Sequence, residues 1–302
     1  MRGRGRRRAG PRRPGAADGV VESPLGAPPG GPGGERTGAR RRVDGRAGEP
    51  GAGPSLSLVV PAYNEAARIG DTVREAAAYL AARPYPAELV VVDDGSADRT
   101  AELARAAAAG AGVPVRVVAI PHGGKGAALR AGMAAATGEQ VAFSDADLAT
   151  PLPYLEALRA AVAGGCAVAI GSREGAGARR VGEPAYRHLM GRVFNGVVRA
   201  VVLPGIQDTQ CGFKLFERGA AEAILDRARL YREPGAVVTG PRVSAFDVEL
   251  LVVARRLGLR VCPVPVVWTY GPGSKVHPAR DTWNNLRDVF RVWLYARRGE
   301  YQ

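Results

Sequence analysis

From Leu56 onward, short apolar runs alternate with longer stretches of helical spacing, separated by Gly, Pro, Asp or Ser. Leu56 to Val60 reads as a strand buried on both faces, and Pro61-Ala62-Tyr63-Asn64-Glu65 as the loop after it. A helix is expected from about Arg68 to Ala82, stopped by Pro84. Leu89 to Val92 forms a second strand, and Asp98 reads as the N-cap of a helix running to about Ala109. Val115 to Ile120 makes a third strand, Gly123-Gly124-Lys125-Gly126 opens an Ala-rich helix to Ala136, and Gln140 to Ser144 is the fourth strand. This βαβαβαβ order predicts an α/β fold, a mostly parallel sheet with helices on both faces.

The pattern loosens in the second half. Ala167 to Ile170 reads as a strand, Ser172 to Gly182 as a loop rich in Gly and Arg, and Pro184 to about Val202 as a helix. A strand over Gly212 to Phe216, a helix over Asp247 to Leu257 and a strand over Val261 to Thr269 follow. A last helix, about 280–297, puts Trp283, Leu286, Phe290 and Trp293 on one face, with Arg287, Arg291, Arg297 and Arg298 around the others. Such a stripe is either the core side of an ordinary helix or the apolar side of an interfacial membrane helix.

Residues 1–54 break the pattern. Arg, Gly and Pro dominate them without apolar periodicity, so they read as a disordered arm that cannot bury enough surface to fold. They hold 12 Arg against 5 acidic residues, a net +7 of the chain's formal +13. Such an arm could bind nucleic acid or anionic lipid. The absence of aromatic residues among its arginines argues against nucleic acid. Residues 55–302 read as one domain whose core draws on a 46% hydrophobic composition. Cys166, Cys211 and Cys262 lie 45 and 51 residues apart, which argues against metal clips and disulfides and for a reducing cytoplasm. No uncharged run reaches the roughly 20 residues of a membrane span, so membrane contact is expected to be peripheral, at the cytoplasmic face.

Chemistry concentrates where the strands end. Asp93-Asp94 closes the second strand and Asp145-Ala146-Asp147 the fourth, which puts carboxylates at the carboxyl edge of the sheet. Carboxylates at every second residue can share one hard divalent cation, Mg²⁺ or Mn²⁺, with the phosphates of a substrate. Lys125 stands at a helix start, a place that favours anions, although the phosphate-loop spacing of nucleoside triphosphatases is absent. His122, His188 and His277 match no metal-ligand spacing.

The strings Val59-Val60-Pro61-Ala62-Tyr63-Asn64-Glu65, Val91-Val92-Asp93-Asp94-Gly95-Ser96, Gly124-Lys125-Gly126 and Asp145-Ala146-Asp147 resemble the inverting nucleotide-sugar transferases of family 2, which share the GT-A fold. Further along, Asp208-Thr209-Gln210-Cys211-Gly212-Phe213-Lys214-Leu215-Phe216, Phe246-Asp247-Val248-Glu249-Leu250-Leu251, Val267-Trp268 and Gly273-Ser274-Lys275 resemble the dolichyl-phosphate β-glucosyltransferase branch. The resemblance spans about residues 56 to 295 and implies glucose transfer from UDP-glucose to a polyprenyl phosphate.

Carried over by position, the resemblance implies donor contacts from Pro61, Tyr63, Glu65, Asp93, Asp94, Lys125, Asp145 and Lys275, the last as a lid. Asp145 and Asp147 would hold the metal, and Asp208 and Asp247 would join Asp147 as catalytic candidates. Arg173, Arg179, Arg180 and Gln210 would hold the acceptor phosphate. Asp247 and Glu249 also suit a helix start as caps. Two departures stand out. Eukaryotic members carry an N-terminal anchor where this chain has the arginine-rich arm, and mannosyl-transferring cousins follow the Asp-Ala-Asp with Leu-Gln-His where this chain has Leu148-Ala149-Thr150. The second leaves a third metal ligand unassigned. Alternatives are transfer of mannose or another hexose to a lipid phosphate or a glycan hydroxyl, and nucleic-acid binding through the arm.

Overall fold

The computed structural model describes residues 53–232, 245–271 and 278–302, with side chains of the last stretch described from 282. The arm, Lys275 and His277 therefore lie outside the described residues, Pro54 and the residue before it apart. Strands β1 (Leu56–Ala62), β2 (Ala87–Asp93), β3 (Val115–Ala119), β4 (Gln140–Ser144), β5 (Val168–Ser172), β7 (Phe213–Glu217) and β8 (Val261–Pro265) form one seven-stranded sheet. A two-stranded sheet joins β6 (Arg179–Val181) to β9 (Val267–Thr269). The helices are α1 (Ile69–Ala81), α2 (Thr100–Ala108), α3 (Lys125–Ala135), α4 (Tyr154–Ala163), α5 (Ala185–Val201), α6 (Arg218–Arg227), α7 (Phe246–Arg256) and α8 (Pro278–Arg297).

The large sheet runs β3-β2-β1-β4-β7-β5-β8 and is parallel except for β7, which is antiparallel to both neighbours. Alternation along the strands divides the core. Val59, Val90, Val92, Val141 and Phe143 face α3, α5, α6, α7 and α8. Leu58, Val60, Leu89, Val91 and Ala142 face α1, α2 and α4. The expected α/β architecture with helices on both faces, that of the GT-A fold, is what forms. A Cβ on Gly132 of α3 would collide with Val59 and Val92, so this glycine sets how closely α3 lies on the sheet. Among the described residues no helix is long and apolar enough to cross a membrane.

Four local readings change. Helices α4 and α6 form in stretches that carried no expectation, and β6 forms inside the expected Gly and Arg-rich loop. The single strand expected over 261–269 divides at Val266, because β8 carries Pro263 and Pro265 on the sheet's edge and β9 leaves to pair with β6. The N-cap position of α2 is Arg99, one residue after the Asp98 expected, and the Asp98 carboxylate accepts from the Thr100 N–H at 3.0 Å and the Ala66 N–H at 3.1 Å. The cysteine expectation is overturned: Cys166 and Cys262 form a disulfide with Cα atoms 6.0 Å apart. They are 96 residues apart in sequence, but β5 and β8 are paired neighbours and Cys166 sits at the entry to β5.

Candidate active site at the carboxyl edge of the sheet

From β1 the chain builds outward to β2 and β3, then returns to place β4 on the other side of β1. The carboxyl ends of β1 and β4 therefore flank the crevice where the strand order reverses, the place at which open α/β sheets take ligands. The loops around it are tied together. Asn64, at φ 52°, accepts from the Ala97 N–H at 2.8 Å and donates its own N–H to Ser96 Oγ at 2.9 Å. Thr72 of α1 donates to the Ala146 carbonyl at 2.7 Å, which fixes the turn that carries Asp145 and Asp147.

Asp94 is tied into the loop that leads into α3. Its carboxylate accepts from the N–H groups of Gly123 at 2.8 Å and Gly124 at 2.9 Å, and lies 2.8 Å from His122 Nδ1. The anion at the start of α3 is thus the protein's own Asp94 side chain, which holds the loop in place. Gly124, at φ 90°, makes that turn possible. Burial raises the Asp94 pKa despite these donors. The Tyr63 ring stacks on His122 at 3.9 Å between centroids, so a histidine that spacing set aside belongs to the site. Glu65 accepts Arg68 at 3.0 Å, and Pro61 is half-buried at the end of β1. Asp93 is buried with its Oδ1 lacking a hydrogen-bond partner.

Lys125 pairs with a carboxylate of the same sheet edge. Its ammonium lies 2.5 Å from Asp145 Oδ1. Burial would lower its pKa, but Asp145, Asp247 and Asp147 outweigh burial and raise it. Those three carboxylates therefore share one electrostatic neighbourhood although they come from β4 and the start of α7. Asp147 is exposed at its surface and accepts from the Ala149 N–H at 3.1 Å. Protein atoms around it, then the charge of Asp145, raise its pKa. A Cβ on Gly212 would overlap the Asp145 carboxylate, so the glycine ahead of β7 leaves the room in which that carboxylate sits.

Asp247 is in the first turn of α7, but its Oδ1 accepts from Lys214 Nζ at 3.0 Å. Lys214 is fully buried on β7, donates to the Cys211 carbonyl at 2.5 Å and lies 5.3 Å from the Phe143 ring centroid. Sequence reasoning quoted Lys214 within a motif and assigned it nothing. A lysine in a buried strand is itself the signal, since a buried cation needs a partner. Glu249 accepts from the N–H groups of Arg229 and Leu230 and from Tyr301, a structural use in place of capping.

Asp208 is paired inside the protein. It is buried and held by Arg173 through Nε at 2.7 Å, Nη2 at 2.9 Å and the backbone N–H at 2.9 Å. Burial would raise its pKa, but Arg173 holds the carboxyl well below the ordinary range. Asp208, expected as a catalytic candidate, and Arg173, expected at the acceptor phosphate, are therefore paired with each other here. Arg180 is likewise taken up, by Glu174 at 3.0 Å and Glu183 at 2.9 Å. Arg179 is exposed on β6, and Gln210 directs its backbone N–H to Asp208 at 3.3 Å.

The donor set at Asp145 and Asp147 fits a hard divalent cation. Both ligands are carboxylates, they flank one turn, and the Lys125 ammonium already marks the cationic position. Among the described residues no group of three His, Cys, Asp or Glu could hold a metal. Mg²⁺ is commonly bound by one or two carboxylates with water and substrate phosphates completing its shell.

Residues 57–225 match the sequence profile described as glycosyl transferase family 2. The chain is similar to the dolichyl-phosphate beta-glucosyltransferase of Homo sapiens, 35% identical over 74% of this chain and 70% of that one. The enzyme of the same name from Drosophila melanogaster is 35% identical over 79% of this chain and 74% of its own. Glycosyltransferase AglD of Haloferax volcanii is 33% identical over 80% of this chain and 37% of its own. Among solved structures, Mycobacterium tuberculosis glucosyl-3-phosphoglycerate synthase, in complex with Mn²⁺, UDP and glucosyl-3-phosphoglycerate, superposes with a TM-score of 0.56. It is 23% identical, with 82% of this chain and 81% of that one covered, a likeness of fold.

Proposed function

Because this chain belongs to glycosyl transferase family 2, we propose that it transfers glucose from UDP-glucose to a dolichyl-type polyprenyl phosphate, inverting the anomeric carbon by in-line displacement. The observation that carries this is the pairing of Lys125 with Asp145, two residues before Asp147, at the reversal of strand order. Relatives of the same length class act on dolichyl phosphate by name, and the sequence likeness to them runs through the second half of the chain as well as the first.

In this reading residues 55–302 are the catalytic domain and 1–54 lie outside it. Asp145 and Asp147 would hold Mg²⁺ or Mn²⁺, which when bound stabilises the negative charge that builds on the departing diphosphate. Lys125 balances the charge of the carboxylates and turns to the donor's phosphates as they enter. Asp93, with one acceptor unpaired, and Tyr63, stacked on His122, bind the nucleoside. A phosphate acceptor is already anionic at neutral pH and needs no strong base, which agrees with an Asp247 held by Lys214. Arg179 and Gln210 hold the acceptor phosphate, and Lys275 closes over the donor. The enzyme works peripherally at a membrane face.

Incubation with radiolabelled UDP-glucose, Mg²⁺ or Mn²⁺ and dolichyl phosphate should give a lipid-extractable labelled product. No lipid label, with label appearing instead on 3-phosphoglycerate or a glycan hydroxyl, would reject the acceptor. GDP-mannose outcompeting UDP-glucose would reject the donor.

A further inference from the structure

Helix α5 presents to solvent a row of apolar side chains. Tyr186, Leu189, Met190, Val193, Val197 and Val201 are 37% to 63% exposed. At the rotation of an α-helix they fall within one arc of about 120°. The buried side of the same helix is made by Phe194, Asn195 and Val198, and exposed Arg192 and Arg199 run along its third side. Helix α8 packs beside α5 and turns Trp283, 70% exposed, and Phe290, 58% exposed, outward, while its core contacts come from Val289 and Val292. Of the stripe read from sequence, Trp283 and Phe290 face solvent, Leu286 packs partly against the core and Trp293 is half-buried.

Guanidinium groups border this apolar surface. A groove of about 360 Å³ combines Val201, Val252 and Trp293 with Arg255, Arg256 and Arg297. A smaller hollow of about 170 Å³ brings Arg192 and Arg199 together with Asn195, Gln207 and Glu174. Apolar side chains seated at the acyl boundary with arginines at phosphate depth is the chemistry of an anionic bilayer surface. The face is also joined to the site: Arg187 of α5 donates to Tyr270 Oη at 2.9 Å, and a Cβ on the next residue, Gly271, would lie 4.0 Å from Asp147 Oδ2.

We propose that the α5 and α8 face docks onto an anionic phospholipid bilayer, at the depth where an acceptor phosphate leaves the headgroup layer. The assignment rests on the lipid-phosphate reading above and adds the surface that serves it. The test is sedimentation of the full chain with phosphatidylcholine–phosphatidylglycerol vesicles and with phosphatidylcholine alone, followed by glucose transfer to dolichyl phosphate in the mixed vesicles.

The wild type should sediment with the mixed vesicles and much less with the neutral ones. The doubly substituted Leu189→Glu, Val193→Glu chain should bind the mixed vesicles about tenfold more weakly or worse. Its transfer to dolichyl phosphate should fall in step, with transfer to a short water-soluble prenyl phosphate unchanged. Arg192→Glu with Arg199→Glu, exposed and without effect on the core, should remove the preference for anionic vesicles and serves if the first variant folds poorly. Wild-type vesicle binding by both variants would overturn the proposal. So would a solution dimer that Leu189→Glu, Val193→Glu dissociates while vesicle binding persists. If docking follows α5 but no lipid phosphate accepts glucose, the surface stands and the acceptor reading falls.

Discussion

Replacing Gly212 by alanine tests the geometry on which the catalytic reading depends. A Cβ there would lie 2.5 Å from Asp145 Cγ and 2.7 Å from Oδ1, whereas ordinary contact begins at 3.4 Å. Relief needs the carboxylate to move by about 1 Å, and that motion draws Oδ1 away from Lys125, now 2.5 Å distant. Misplacement by about 1 Å at a reacting centre can cost about 100-fold in rate, or about 2.7 kcal/mol. Overpacking costs about 1 to 3 kcal/mol of stability. The lower end applies, because Asp145 is half-exposed and can swing outward. The assay is kcat/KM for glucose transfer beside a thermal melt, with Gly219→Ala as control, since a Cβ there meets nothing within 4 Å. Gly212→Ala should lose about 100-fold in kcat/KM with a small drop in Tm, and the control should match the parent. A Gly212→Ala enzyme with parental kinetics would refute the placement of Asp145 in the reaction.

Asp208→Asn should cost about 3 to 5 kcal/mol in denaturant titration, because it leaves the Arg173 charge without its partner. Arg173 depresses the Asp208 pKa, so this pair stabilises the fold fully above about pH 4, the unfolded carboxyl value, and its contribution fades as acid titrates the folded group. The wild type should therefore lose stability more steeply than Asp208→Asn below that pH, and parallel curves would contradict the assignment. Lys214→Met should destabilise by about 3 kcal/mol or more by stranding Asp247, while Lys214→Met with Asp247→Leu should recover part of the loss in a double-mutant cycle. Replacing Cys166 and Cys262 by serine should lower unfolding free energy by about 2 to 4 kcal/mol. Reduced thiols at both positions in acid-quenched, alkylated protein would argue that the bridge does not form in the cell.

Much of the first half was legible because its elements answer to local rules. Leu58 to Val60 and Leu89 to Val92 are short continuous apolar runs bounded by polar and turn residues, the pattern of a strand covered on both faces. The carboxylates after those strands were bound to emerge at the edge of the sheet. The second half hid α4, α6 and β6, since short elements there take their form from the neighbours they pack against. Side-chain roles were less readable still. Asp94, Asp208, Arg173 and Arg180 carry the residue types of a binding site, yet each spends its charge inside the protein.

The sequence alone determined the alternating α/β order, the edge at which the acidic pairs appear and the family to which the chain belongs, because periodicity and motif spacing are properties of neighbours along the chain. Only the tertiary structure decided that Lys125 meets Asp145, that Lys214 meets Asp247, that Cys166 meets Cys262, and that the row on α5 is left facing water. Each of those depends on which strands pair and which helix faces are covered. Burial and charge pairing act through space, between residues that chain order leaves far apart.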